Sequence, residues 1–275
     1  MNRDEDFQRI LVATDFSSHS EAALSQAMCL ARHSGAQIVL VHVLLRTKDA
    51  LQFATSSDQF TEDCNEIDLS SDATYEEATA RVQFMVDRLG GDDLGIKCKV
   101  LIGNPVTVIS QAAVQEHCDL VLVGIRGTAA WEQFSIGGTA KRLVRTCPLP
   151  VWTMQAGVHR PPKSILVATD FSDTSRLAGC LGQQIARDAG ADLHLLHVVD
   201  LEKSSHESRA RITTSAGVLK REVLETAAMR LAAFIETIDH THTAMYSHML
   251  WGTPSEQIIV LAEQLKIDLL VLGTA

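Results

Sequence analysis

Two pairs of glycines bracket a nine-residue spacer in the first half of the chain, as Gly124-Ile-Arg-Gly127 and Gly137-Gly138-Thr139. The first pair closes the apolar run Asp119-Leu-Val-Leu-Val123, and the second opens a helical run beginning Ala140-Lys141-Arg142. Glycine at a strand end permits positive φ and lets a ligand approach the backbone. A helix start offers unpaired amides and the positive end of a dipole to an anion. Together the two pairs could hold a di- or triphosphate mainly with main-chain groups. Arg126 and Lys141 are phosphate partners on this reading and solvated cations on the plainer one. The plainer reading also gives the glycines only turns and close packing to serve.

No catalytic set accompanies the loop. Ser17 and Ser172 read as helix caps, because no His/Asp partner follows at a recognisable spacing. His42 and His197 occupy equivalent places near a strand end, which suggests a structural or site-lining role. His240-Thr-His242 with His248 presents imidazoles, yet no thiolate or carboxylate set completes a ligand shell, so no metal site is assigned. The six cysteines, Cys29, Cys64, Cys98, Cys118, Cys147 and Cys180, are scattered and read as reduced thiols. Trp131 and Phe134, inside the spacer, read as anchors for it. Trp152 and Trp251 read as strand residues of a core or interface.

The elements that must position the loop follow from pattern. Gln8 to Thr14 is a short β-branched run, a buried strand. Ser18-His-Ser-Glu21 reads as a capping box, followed by Leu24, Ala27, Met28 and Ala31 at helical spacing. Gly35 ends that helix as a left-handed cap. Strands are expected at 37–44, 97–102 and 119–123, with a last one at 150–154. A helix is expected at 74–90, after a long acidic loop at 45–73. Asn104 and Pro105 fit the N-cap and first turn of another, with Val106, Ile109 and Ala113 inward. Strands alternating with helices predict a parallel sheet covered on both faces, a doubly wound α/β domain. Such sheets bind ligands beyond the carboxyl ends of the strands, where strand order reverses. Here those ends carry Thr14-Asp15, Val43-Leu44, Gly103-Asn104 and Gly124.

The domain occurs twice. Ile10-Leu-Val-Ala-Thr-Asp-Phe-Ser17 returns as Ile165-Leu-Val-Ala-Thr-Asp-Phe-Ser172. Gly103-Asn-Pro105 returns as Gly252-Thr-Pro254, and Asp119-Leu-Val-Leu-Val-Gly124 as Asp268-Leu-Leu-Val-Leu-Gly273. The expected division is a first domain at 1–155, a linker at 156–163 and a second domain at 164–275. The second copy carries no counterpart of the glycine loop, the last helix or the last strand. Three explanations stay open: a shortened natural product, a fragment, or a surface completed by another copy. The formal net charge of −10 opposes a nucleic-acid groove. No apolar run reaches the ~20 residues of a membrane span. The acidic N-terminus is not a secretory signal, and a cytoplasmic location is expected.

The Gly-x2-Gly-x9-Gly spacing, the Ala-Thr-Asp-Phe-Ser strand end, the Gly-Asn-Pro and Gly-Thr-Pro turns and Cys147-Pro-Leu-Pro-Val151 together resemble the universal stress protein family. The tandem layout resembles its two-domain, UspE-like branch. The resemblance implies two Rossmann-like, UspA-type domains, with ATP or a related adenine nucleotide bound by the first and none by the second. Carried over, Asp15, at the end of the Thr14 strand, faces the adenine and Val43 offers it a backbone contact. Gly124 borders the ribose and phosphates. Gly127, Gly137 and the next residue hold the phosphates, often with a divalent metal such as Mg. This chain departs from the pattern at Gly138, where the family has Ser or Thr, although Thr139 is one residue away. The resemblance further implies pairing through last strands, and hence a homodimer. It suggests a stress sensor or scaffold, the alternatives being an interaction module without nucleotide or a slow ATPase. From the residues alone, Asp15 serves equally as a helix cap.

Overall fold

A computed structural model describes residues 7–45, 72–127, 136–157, 160–200, 216–238 and 243–274. Most of the acidic loop, Cys64, Trp131, Phe134, His240 and His242 lie outside the described residues. The chain divides into two compact units, Met1–Arg160 and Pro161–Ala275. No helix among the described residues is long and apolar enough to cross a membrane.

The first unit runs β1 (Arg9–Thr14), α1 (Ser18–Ser34), β2 (Gln37–Leu44), α2 (Asp72–Leu89), β3 (Lys97–Ile102), α3 (Pro105–Gln115), β4 (Leu120–Gly124), α4 (Gly138–Thr146) and β5 (Val151–Met154). Its five strands are all parallel, in the order β3-β2-β1-β4-β5. Strand order therefore reverses between β1 and β4. Alternate side chains point to opposite faces. Leu11, Val39, Val41, Val121 and Val123 pack against Ile109, Ala112 and Ala113 of α3 and Ala140 and Leu143 of α4. The intervening Ile10, Val12, Ile38, Leu40, Leu120 and Leu122 are also buried, and α1 and α2 pack against β1, β4 and β3. Burying a Leu or Ile side chain stabilises by roughly 1.5–3 kcal/mol, so a sheet apolar on both faces needs helices on both.

The second unit repeats this with β6 (Ser164–Ala168), α5 (Asp173–Ala189), β7 (Asp192–Val199), α6 (Ala216–Glu236), β8 (Met245–Trp251), α7 (Pro254–Gln264) and β9 (Leu269–Leu272). Its parallel order, β8-β7-β6-β9, matches the first four strands of unit 1. Trp152 lies on β5 and Trp251 on β8, both partly buried.

The expected local signals hold, with small shifts at element ends. Asn104 caps α3, accepting from the amides of Val106 and Thr107, with Pro105 in the first turn. Gly35 and Gly190 close α1 and α5 at φ 76° and 63°. Of Ser17 and Ser18, both read as caps, it is Ser17 that caps α1. Its hydroxyl accepts from the Ser20 amide, and Glu21 turns instead to Arg88 on α2. The chain leaves β1 through a turn in which the Ser17 amide already bonds Asp15, and this starts the helix one residue earlier.

One ion cluster locks α3 to the sheet edge. Glu116, just past α3, accepts from Lys97 at 2.9 Å and from Lys99, both on β3. Hydrogen bonds from Lys99 and then Lys97 hold its carboxyl down to about 2, from an ordinary 4.5. A lowered carboxyl pKa stabilises the fold above the unfolded value, and that contribution is lost as pH falls through the folded value. Glu116→Gln is therefore expected to be less stable than wild type at neutral pH. The gap should close as pH falls from 4.5 toward about 2. Thermal melts of both proteins across that window check it, and parallel curves would contradict it.

Candidate functional site

At the β1/β4 switch point the backbone of one strand end is held by side chains on all sides. Thr14, buried, accepts from the Phe16 amide and pairs with the Ser20 hydroxyl, both at 3.0 Å. Its carbonyl accepts from His42 Nδ1 at 2.8 Å. Phe16 stands at φ 64°, a conformation rare for a bulky residue. Its ring lies 4.4 Å from that of His42, with the Arg81 guanidinium over the ring, 4.3 Å from its centroid. The cation over the ring face adds an attraction of roughly 0.5–2 kcal/mol. Burial keeps His42 below its usual pKa, which favours the neutral ring.

Unit 2 carries the same device. Thr169 pairs with Ser175 at 2.9 Å, His197 Nδ1 bonds the Thr169 carbonyl at 2.9 Å, and Phe171 stands at φ 67°. Arg230 lies 4.7 Å from the Phe171 ring. Hydrogen bonds from Ser172 hold the Asp170 carboxyl below its ordinary range. The role expected for His42 and His197 is thus structural: each buttresses a strand end. Phe16, Arg81, Phe171 and Arg230 escaped the reading of the sequence, although Arg81 and Arg230 share the 149-residue offset of the two Gly-x-Pro turns. Ser17 and Ser172 cap their helices.

Beside this strand end lie the glycines. A Cβ built on Gly127 would stand 2.5 Å from Asp15 Oδ2. A Cβ on Gly137 would stand 3.3 Å from Arg126 Cα and from the Ile125 carbonyl oxygen. The Gly137 amide bonds that carbonyl at 2.8 Å, and the Ile125 amide bonds Met154 at the end of β5. Asp15, Arg126, Gly127 and Gly137 thus form one continuous surface, although 122 positions separate its ends. Gly137 caps α4 without a side-chain bond, and the Lys141 amide is the first to turn back onto it. The amides of Gly138, Thr139 and Ala140 therefore open the helix without an intrahelical partner. The side-chain direction of Gly138 is open, with nothing within 4 Å. Val43, on β2, packs partly buried against the core under α3.

The reason for glycine differs from the expected one. None of Gly124, Gly127, Gly137 and Gly138 has positive φ. What three of them need is room. A Cβ on Gly124 would come within 2.9 Å of His19 Cβ and the Ser20 amide nitrogen, so α1 packs directly on that strand end. Gly273 repeats this against Ser175, at 2.6 Å. For Gly124 the close-packing reading describes the geometry.

The Arg126 carbonyl accepts from the Ser17 hydroxyl at 3.3 Å. Among the described residues no group of three or more His, Cys, Asp or Glu is gathered to hold a metal ion. The five described cysteines are free. Burial pushes the Cys118 thiol up to about 11, as expected for an inert core residue.

A family model described as the universal stress protein family matches residues 6–155 and again 162–275. A universal stress protein E homolog of Haemophilus influenzae is 23% identical over 283 aligned residues, covering 98% of this chain and 88% of its own. A universal stress protein of Archaeoglobus fulgidus, solved as a crystal structure, aligns with 95% of this chain and 85% of its own, at 18% identity and a TM-score of 0.61. A universal stress protein crystallised with cAMP covers 56% of this chain and 100% of its own, at 19% identity and a TM-score of 0.39. With two family matches that between them span nearly its whole length, and a doubly wound parallel sheet in each, the chain belongs to the universal stress protein family.

Proposed function

We propose that this protein binds ATP or a related adenine nucleotide in its first domain and serves as a cytoplasmic stress sensor or scaffold. The observation that carries this is the contact of Asp15 with Gly127 and of Arg126 with Gly137, beside the open N-terminus of α4. Asp15 and Val43 take the base side, while Thr14 and Gly124 hold the strand ends. Gly127, Gly137, Gly138 and Thr139 offer main-chain amides to the phosphates, where helix dipole and free donors favour an anion. Arg126 and Lys141 stand near enough in the chain to add charge. A divalent ion such as Mg, carried on the phosphates, would neutralise part of their charge. At most a slow ATPase activity is proposed. The second domain keeps the Asp170 strand end, and no nucleotide is assigned to it.

Mass spectrometry of small molecules released from freshly purified protein, followed by ATP titration, tests this. Co-purifying adenine nucleotide or a dissociation constant below the millimolar range is expected. Absence of both would overturn the proposal.

The second reading, an interaction module, rests on two sheet margins. β5 and β9 are the outermost strands on their sides of the described sheets. Leu270 and Leu272 on β9 are 40% and 47% exposed, whereas their repeat counterparts Val121 and Val123 are buried beneath α4. Open strand edges and apolar surface favour association. A homodimer follows, and light scattering at micromolar concentration should show twice the chain mass. Only monomer would contradict it.

A further inference from the structure

Away from the strand ends that face the nucleotide, the second domain brings two imidazoles together where the first domain has none. His194 lies on β7 and His248 on β8, 54 positions apart. His194 Nδ1 is 3.0 Å from His248 Nε2. The His194 ring also stacks on Tyr246, with centroids 5.0 Å apart and planes at 19°. Both histidines are partly buried. Burial holds both below the usual imidazole pKa, and for His194 the neighbouring His248 adds to the effect. Neutral imidazole is the form that binds metals.

The repeat supplies an internal comparison. At the offsets that relate the two domains, His194 corresponds to Val39, Tyr246 to Lys97, His248 to Lys99 and Leu265 to Glu116. In unit 1 these positions form a closed ion cluster, two lysines on one glutamate beyond the end of α3. In unit 2 the carboxylate is replaced by Leu265, which packs with Leu196, the register partner of His248. The two lysine positions hold Tyr246 and His248, and the neutral forms of His248 and of His194, which stands where unit 1 has Val39, share a single hydrogen bond. The C-terminal end of the covering helix α7, whose dipole favours a cation, has lost the pair of ammonium groups.

We propose that His194 and His248 form a two-nitrogen binding site for a first-row divalent transition metal, specific to the second domain and independent of the nucleotide site. With imidazole–metal bonds of about 2.0–2.1 Å, a 3.0 Å nitrogen separation spans a bond angle of roughly 90° at the metal. That is the cis angle of tetragonal copper(II) or octahedral nickel(II), and it is tighter than tetrahedral zinc prefers. Water fills the other positions, because no third protein ligand is gathered among the described residues. On loading, the ring that donates in the His194–His248 contact moves its proton to its other nitrogen, so that both facing nitrogens present lone pairs, and the bound ion brings positive charge to an edge that carries Lys97 and Lys99 in unit 1. His248 figured in the sequence only beside His240 and His242; its partner in the fold is His194.

The test uses the full chain with copper(II) and nickel(II) salts in a non-coordinating buffer. Calorimetry should show one site of micromolar affinity. Electron paramagnetic resonance of sub-stoichiometric copper(II) should show two equatorial nitrogens. His194→Ala and His248→Ala should each weaken that site by about ten- to a hundredfold, the scale of losing one of two imidazole ligands. Asparagine at each position keeps a hydrogen-bonding side chain and separates ligation from folding; it should lose the metal while melting near wild type. Three results would overturn the proposal: no micromolar site in wild type, a site unchanged in both variants, or variants that lower stability while leaving metal affinity intact.

Discussion

Gly127→Val is expected to abolish nucleotide binding by the first domain while leaving its fold intact. The position is exposed and its φ is not positive, so the backbone accepts a side chain. The space does not, because the first added carbon falls 2.5 Å from the Asp15 carboxylate. Either Asp15 swings away from the base side or the loop retreats from the start of α4. Each separates groups that must meet the same ligand. Losing one or two charge-assisted hydrogen bonds, at about 1.5–3 kcal/mol each, weakens ATP by roughly ten- to several-hundredfold or more. Gly138→Ser runs the opposite way. Its side-chain direction is open, and a serine restores the hydroxyl that the family pattern places there. One neutral hydrogen bond of about 0.5–1.5 kcal/mol raises affinity up to roughly tenfold. Calorimetric titration of wild type and both variants checks the pair. Unchanged affinity in the valine variant would refute the site.

Gly124→Val is expected to produce the largest loss of stability in the first domain. The atoms it would meet are backbone and Cβ of His19 and Ser20, at 2.9–3.0 Å. They belong to a helix start that cannot yield alone. Ser20 is tied to Thr14 and to Ser17, and Ser17 to the carbonyl of Arg126. Overpacking of this kind costs about 1–3 kcal/mol, and more here because a whole helix must move. At roughly 2–4 °C per kcal/mol for a domain of this size, melting should fall by several degrees. Urea denaturation measures the loss directly. A change within about 0.5 kcal/mol, the range of an ordinary surface substitution, would show that the helix has room. Nucleotide affinity should fall with stability, because the displaced helix carries the Ser17 contact to the loop.

Much of the fold was legible in the sequence because its signals are local. β2 and β3 begin and end where the apolar runs do, at Gln37–Leu44 and Lys97–Ile102. Asn104-Pro105 and Gly35 cap helices by the chemistry of their own side chains and backbones. The boundary shifts are of one kind: the strand expected at 119–123 is Leu120–Gly124, and the capping box expected from Ser18 gives way to Ser17, the neighbouring hydroxyl also read as a cap. A residue's place at an element end depends on the turn that precedes it, and composition does not show that turn. The Arg81–Phe16–His42 stack was readable in principle, since each member recurs in the second domain at a repeat offset. Its meaning was not, because nothing local ties α2 to the end of β1.

By itself the sequence determined the family, the doubly wound sheet, the duplication and the list of residues proposed to hold an anion. These follow from short-range periodicity and from a repeat that can be aligned by eye. Only the tertiary structure decided which of those residues meet. It put Asp15 against Gly127 and Arg126 against Gly137, and it gave Gly124 to the packing of α1. It also paired His194 with His248, a contact that the first domain lacks. The physical reason is the parallel sheet. Its crossovers bring strand ends separated by a hundred residues within a few ångströms, and the register that sets the neighbours is a property of the packed core.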